Sequence, residues 1–180
     1  MQRLLLFLLF MAFGTGAIVM LSTVQPPTPE PQAISIPLNV LAMRDVVVRQ
    51  HEAGGLRLVL SARSAVLNER AKTIHLEQVD FRLFEPGKGA PPTPVIEGRA
   101  DSARVDQGGG TIVLLGGVRL KDAAGGEIET ERIKYEKDLD RFTAPGWVVV
   151  RAGGTVHEGR GLVYRLKERT LSLDAPRIYR

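Results

Sequence analysis

Ala62-Arg63-Ser64-Ala65-Val66-Leu67-Asn68-Glu69-Arg70-Ala71-Lys72-Thr73-Ile74-His75-Leu76 decides the fold, because the chain repeats its pattern three more times. Aligned on Ala62, Ala100, Thr130 and Gly159, the copies start 38, 30 and 29 residues apart. Three residues on stand Ala65, Ala103, Ile133 and Leu162, and five on stand Leu67, Val105, Tyr135 and Tyr164. After a mostly polar stretch come Ile74, Ile112, Phe142 and Leu171, then Leu76, Leu114, Ala144 and Leu173. Apolar positions two apart are the mark of a half-buried strand, so each copy predicts two strands. Asn68 to Lys72, Gln107-Gly108-Gly109-Gly110, Lys137-Asp138-Leu139-Asp140 and Lys167-Glu168-Arg169 supply the turns between them.

Outward from the repeats, breakers at Pro86 to Pro94, Asp122 to Gly126 and Gly153-Gly154 separate one hairpin from the next. Leu56-Leu58-Leu60 opens the first hairpin with strict alternation, and Asn39 to Arg49, around Val46-Val47-Val48, adds a strand before it. No helical pattern as long as ten residues follows Val24. The expected architecture is all-β: a β-jellyroll of antiparallel hairpin repeats in two facing sheets around one apolar interior.

Ahead of this domain, Leu4 to Val24 carries no charge. At 1.5 Å per residue those ~21 residues reach about 31 Å, the thickness of a hydrocarbon core. A cleaved signal peptide has an apolar stretch of only ~7–15 residues and a small-x-small site, whereas this run meets Ser22-Thr23-Val24-Gln25-Pro26-Pro27. The expectation is one uncleaved transmembrane helix. Arg3 and the amino terminus precede it and the first charge after it is Glu30, so the N-terminus is expected in the cytoplasm. Pro26, Pro27, Pro29, Pro31 and Pro37 make a semi-rigid stalk. Three parts result: an anchor over 1–24, a stalk over 25–37, and a β-domain over 38–180 on the far side of the membrane.

The remaining chemistry is sparse. A net charge of +4 arises from 24 basic and 20 acidic residues mixed along the chain, with neither the basic block nor the aromatic interleaving of nucleic-acid binders. Cysteine is missing, which removes disulfides, thiolate nucleophiles and sulfur-held metals. His51, His75 and His157 have no partners at motif spacing, and His157-Glu158-Gly159-Arg160-Gly161 lacks the second histidine of a zinc site. Gly108-Gly109-Gly110 and Gly116-Gly117 are followed by no phosphate-binding helix and read as hairpin punctuation. Glu127 and Glu129 share a strand face beside a turn, where a solvated surface is usual. Neither an enzyme nor a metal or cofactor is expected.

Anchor, stalk and hairpin repeats in this order resemble the LptC family, the bitopic inner-membrane subunits of the lipopolysaccharide transport system, with its OstA-like β-jellyroll. The likeness is carried by Leu58-Val59-Leu60-Ser61-Ala62, Ile74-His75-Leu76-Glu77-Gln78-Val79-Asp80-Phe81, Gly116-Gly117-Val118-Arg119-Leu120, Ile128-Glu129-Thr130, Tyr135 and Gly159-Arg160-Gly161-Leu162. It implies lipid A acyl chains of lipopolysaccharide between the sheets, an extractor complex of LptB, LptF and LptG as donor, and LptA as acceptor. Apolar side chains on the inward strand positions would line the trough: Leu58, Leu60, Leu76, Phe81, Leu83, Leu114, Val118, Leu120, Ile133, Tyr135, Phe142, Val148, Val150, Leu162 and Tyr164. The strands holding Val46, Val47 and Val48 and holding Leu171, Leu173, Ile178 and Tyr179 are the expected partner edges, the first facing the extractor and the second the acceptor. If the first segment were cleaved, a soluble LptA-like bridge protein would fit; an anchored adaptor that binds no lipid is the other alternative.

Overall fold

A computed structural model describes residues 40–52, 55–85, 93–108 and 110–179. The anchor and stalk assigned to 1–24 and 25–37 lie outside the described residues. Nine strands follow one another: β1 (Val40–Glu52), β2 (Gly55–Asn68), β3 (Thr73–Phe84), β4 (Pro94–Asp106), β5 (Thr111–Asp122), β6 (Glu127–Glu136), β7 (Arg141–Ala152), β8 (Thr155–Arg165) and β9 (Thr170–Tyr179). The one helical turn among the described residues is the 3-10 turn Lys137–Leu139 between β6 and β7. Each strand pairs antiparallel with its sequence neighbours, so the sheet order is the chain order and β1 and β9 are its edges. The four repeats are the hairpins β2–β3, β4–β5, β6–β7 and β8–β9.

The ladders break near mid-strand, and the breaks stand side by side. Pairing skips Asp45, Arg63 and Gln78 on β1 to β3, with Asp45 and Gln78 in the left-handed region. It shifts between Arg99 and Ser102 on β4, Leu115 and Val118 on β5, and Thr130 and Lys134 on β6. It shifts again between Ala144 and Trp147 on β7 and between Arg160 and Val163 on β8. An extra residue on a strand bends it, so this row of irregularities is a crease running across the sheet. Two glycines show what the crease requires. At Gly116 (φ 75°) a Cβ would stand 2.5 Å from Oδ2 of Asp101, and at Gly161 (φ 65°) the Asp174 carboxylate fills the space.

Folded at the crease, the sheet presses its two halves face to face. Phe81, before the first-layer end of β3, meets Tyr135 and Phe142 from the far halves of β6 and β7, with ring centroids 6.1 and 5.9 Å apart. Side chains between the layers form one core that includes Leu60, Leu76, Leu114, Ile133, Val148 and Leu162. Each such side chain contributes on the order of 1.5–3 kcal/mol by leaving water.

The expectation of two facing sheets is therefore corrected to one sheet of nine strands whose halves are the two facing layers. The physical reason is an odd step in every repeat. Ala62 to Ala65, Ala100 to Ala103, Thr130 to Ile133 and Gly159 to Leu162 are three apart, yet all eight residues are buried. Alternation cannot bring both ends of such a step inward without an extra residue, and that residue sits in the crease.

Candidate functional site

Cross-strand pairing sorts the interior into long apolar rows. In the first layer one row runs Val48, Leu60, Phe81, Gly98, Leu120, Ile128, Val150, His157 and Ile178. In the second, Leu41, Leu67, Ile74, Val105, Ile112, Tyr135, Phe142, Tyr164 and Leu171 stand side by side. Phe81, Leu120, Ile112, Tyr135 and Phe142 in the middle of these rows are buried, Leu67, Ile74 and Val105 are partly buried, and three of the four outermost residues come into the open. Leu41 on β1 and Leu171 and Ile178 on β9 are exposed.

Of the fifteen side chains named from sequence, fourteen are buried and Tyr164 is half-buried against the same core. They are brought together as one continuous interior. Val46 and Val48 on β1 and Leu173 on β9 are partly buried and pack on that core, whereas Val47, Leu171, Ile178 and Tyr179 are exposed. All seven edge residues lie on the two terminal strands of the sheet.

Sequence reasoning missed the polar cluster where the two layers meet opposite the crease. Arg57 follows Leu56 and precedes Leu58, so alternation sends it to solvent. Instead the β1–β2 register shifts from Gln50–Leu58 to His51–Leu56, leaving Arg57 as the extra residue. The bulge turns it inward, where it is only 5% exposed. Its guanidinium donates to the Phe84 carbonyl and to the Asp140 carboxylate, and reaches the Tyr135 hydroxyl at 3.4 Å. Tyr135 in turn donates to Oδ1 of Asp140 at 3.0 Å, and Nζ of Lys167 lies 3.6 Å from Oδ2. Burial pushes the Tyr135 hydroxyl above the ordinary tyrosine range; Arg57 opposes the shift and Asp140 adds to it.

Beside this cluster a cavity of about 510 Å³ opens to solvent. Val95, Ala123, Tyr164 and Leu166 form its apolar wall, and Arg57, Asp140, Lys167 and Arg169 lie on its polar side. Burial raises the Tyr164 hydroxyl as well, with Asp122 adding to the effect. The lining comes from strand ends of both layers, so the cavity marks the open side of the folded sheet.

The outer surface of the same sheet is charged. Arg82, Glu97, Lys121, Glu127 and Arg151 stand in one cross-strand row and alternate in sign. Lys121 lies 3.5 Å from Glu127, and Arg151 3.0 Å from Glu129 in the neighbouring row. His157 contacts the Thr155 hydroxyl at 3.0 Å, and no cluster of three or more metal-ligating side chains exists among the described residues. The arrangement offers an apolar interior with one polar seam, where Arg57, Tyr135, Asp140 and Lys167 meet.

A family model described as LptC, lipopolysaccharide-assembly, LptC-related, matches residues 5–175. No curated protein matches the chain. Among solved structures, the crystal structure of LptH, described as the LptA-homologous periplasmic component of the conserved lipopolysaccharide transport device from Pseudomonas aeruginosa, superposes with a TM-score of 0.52. Identity is 15%, with 68% of this chain and 92% of that chain covered, so the likeness concerns the fold.

Proposed function

Because the chain belongs to the LptC-related lipopolysaccharide-assembly family, we propose that it is a non-enzymatic carrier that holds lipid A acyl chains between its two layers and passes them along. The observation that carries this reading is the pair of rows, apolar but for Gly98 and His157, that cross all nine strands and come into the open at Leu41, Leu171 and Ile178. Each CH₂ moved from water into such a trough gains about 0.8 kcal/mol. A lipid crossing an aqueous gap needs that shelter over its whole path, which rows ending in exposed Leu171 and Ile178 offer up to the last strand.

On this reading residues 1–24 anchor the chain once in the inner membrane with the N-terminus cytoplasmic, 25–37 are the stalk, and 38–180 work in the periplasm. LptB, LptF and LptG deliver through the anchor and the β1 edge, and LptA receives at the β9 edge. A protein recovered from the soluble periplasm with a new start near Gln25 would overturn the anchored form in favour of a bridge protein.

The sealed middle of the core favours a second reading, an anchored adaptor without lipid. Photo-crosslinking in cells separates the two. A photoreactive residue at Leu114 or Leu120 is expected to capture lipopolysaccharide while one at Val47 or Trp147 on the outer face is not. Interior positions that capture none, in a folded protein, would leave the adaptor.

A further inference from the structure

Arg57 is the only charged residue among those described that is buried, and the site above gives it no role. Stability alone is a poor reason for it. Ions withdrawn from water lose several kcal/mol of hydration each, and apolar groups of similar volume hold a fold as well or better. The position of the cluster is more telling. It joins the β2 and β3 ends of one layer, through Arg57 and the Phe84 carbonyl, to Tyr135 and the β6–β7 turn of the other, through Asp140. The crease closes one long side of the fold, and this contact spans the side that has no covalent closure.

A polar contact at that place differs from an apolar one in what parting costs. Separated apolar lips would face water with nothing gained, whereas a separated guanidinium and carboxylate recover their hydration. Lys167 stands 3.6 Å from Asp140 with its ammonium largely in solvent, a second cation ready for the carboxylate once Arg57 leaves. The adjoining cavity of about 510 Å³, with Val95, Tyr164 and Leu166 on its wall, gives an entering chain an apolar foothold beside the seam. The core behind is filled, with Phe81, Leu114 and Phe142 fully buried, so no chain enters unless the layers part.

We propose that Arg57, Asp140 and Tyr135 form a releasable latch across the open side of the folded sheet, and that its release admits the acyl chains of an amphipathic lipid sideways into the interior. This rests on the carrier reading above.

The chain has no cysteine, so an Arg57→Cys, Asp140→Cys double variant of the full-length protein can be joined by a short bismaleimide without side reactions. Uptake of fluorescently labelled lipopolysaccharide is then followed with and without the link, alongside circular dichroism. The linked form is expected to load more slowly by about tenfold or more, a barrier increase of roughly 1.4 kcal/mol per factor of ten. Equal rates in the linked and unlinked forms would overturn the latch and leave the carrier reading standing. No uptake by the native chain either would overturn both. Should the cysteine pair not fold, Arg57→Leu with Asp140→Leu decides: the latch requires a fold at least as stable that loads more slowly, and unchanged loading refutes it.

Discussion

Phe81 and Ile178 occupy the same cross-strand row of one sheet, on the same face, yet Phe81 is 0% exposed and Ile178 is 61% exposed. Both sit in alternating strands, so local pattern does not separate them. What differs is the opposite layer. Phe81 on β3 has Tyr135 and Phe142 across the interior, while Ile178 on β9 is at the edge, where another strand's cover ends. Burial in this fold is conferred across the crease, and the rows run out of cover before they run out of apolar residues.

The sharpest way to break that comparison is to place the same charge at both ends of the interior. Leu114→Arg puts a cation among Ala103 and Ile133 with no partner, and the loss is expected to exceed about 4–5 kcal/mol, the exceptional class for single substitutions. Ile178→Arg meets solvent and is expected to shift stability within about 0.5 kcal/mol, as surface changes do. Urea unfolding of both checks this; comparable losses would mean that the β9 edge is covered as well as the middle.

Arg57 extends the contrast to charges. Arg57→Ala leaves Asp140 half-buried without its main partner and is expected to cost about 3–5 kcal/mol. Arg119→Ala on the outer face removes a pair with Glu129 that is well exposed, and about 0–1 kcal/mol is expected. Equal losses in thermal unfolding would refute the placement of Arg57 inside. At the crease, Gly161→Val forces a branched side chain into the left-handed region and against Asp174, at a cost of about 1–3 kcal/mol. A neutral result would mean that the crease flattens without penalty.

Much of this was legible in the sequence because the repeat is a packing pattern. Offsets from Ala62, Ala100, Thr130 and Gly159 found eight strands and most of the buried residues on β2 to β8, while on β9 the predicted inward Leu171 is exposed and Leu173 only partly buried. The crease was not read, although its signal, the three-residue step from Ala62 to Ala65 and its three copies, was in plain view; an odd step between inward residues implies a bulge. Arg57 left no such sign. Its inward turn depends on a register shift against β1, set by how Gln50 and His51 meet Leu58 and Leu56, and pairing of that kind is tertiary. Apolar character likewise could not tell sealed Phe142 from exposed Leu171, because each belongs to the same row and only the facing layer distinguishes them.

Tyr135 offers the finest test, since it sits in the buried stretch of that row and touches the polar seam. Tyr135→Phe keeps the ring against Phe81 and Phe142 but deletes a hydroxyl that donates to Asp140 and meets Arg57. Near neutral pH the expected cost is about 0.5–1.5 kcal/mol. Its pH dependence carries the distinguishing information. Burial holds the hydroxyl above the ordinary tyrosine value of about 10, so the folded chain keeps this proton when the unfolded chain has begun to lose it. The unfolded state then binds fewer protons, and stability falls as pH rises. The contribution is complete below pH 10 and is lost as pH climbs from there through the folded value. Phenylalanine has no proton to lose, while Tyr164, also raised, is common to both proteins and cancels. The stability advantage of the native chain over the variant should therefore shrink above pH 10, as read by urea midpoints on both sides of that pH. An advantage that stays constant across the range would place the Tyr135 hydroxyl in water, and the buried stretch of the row with it.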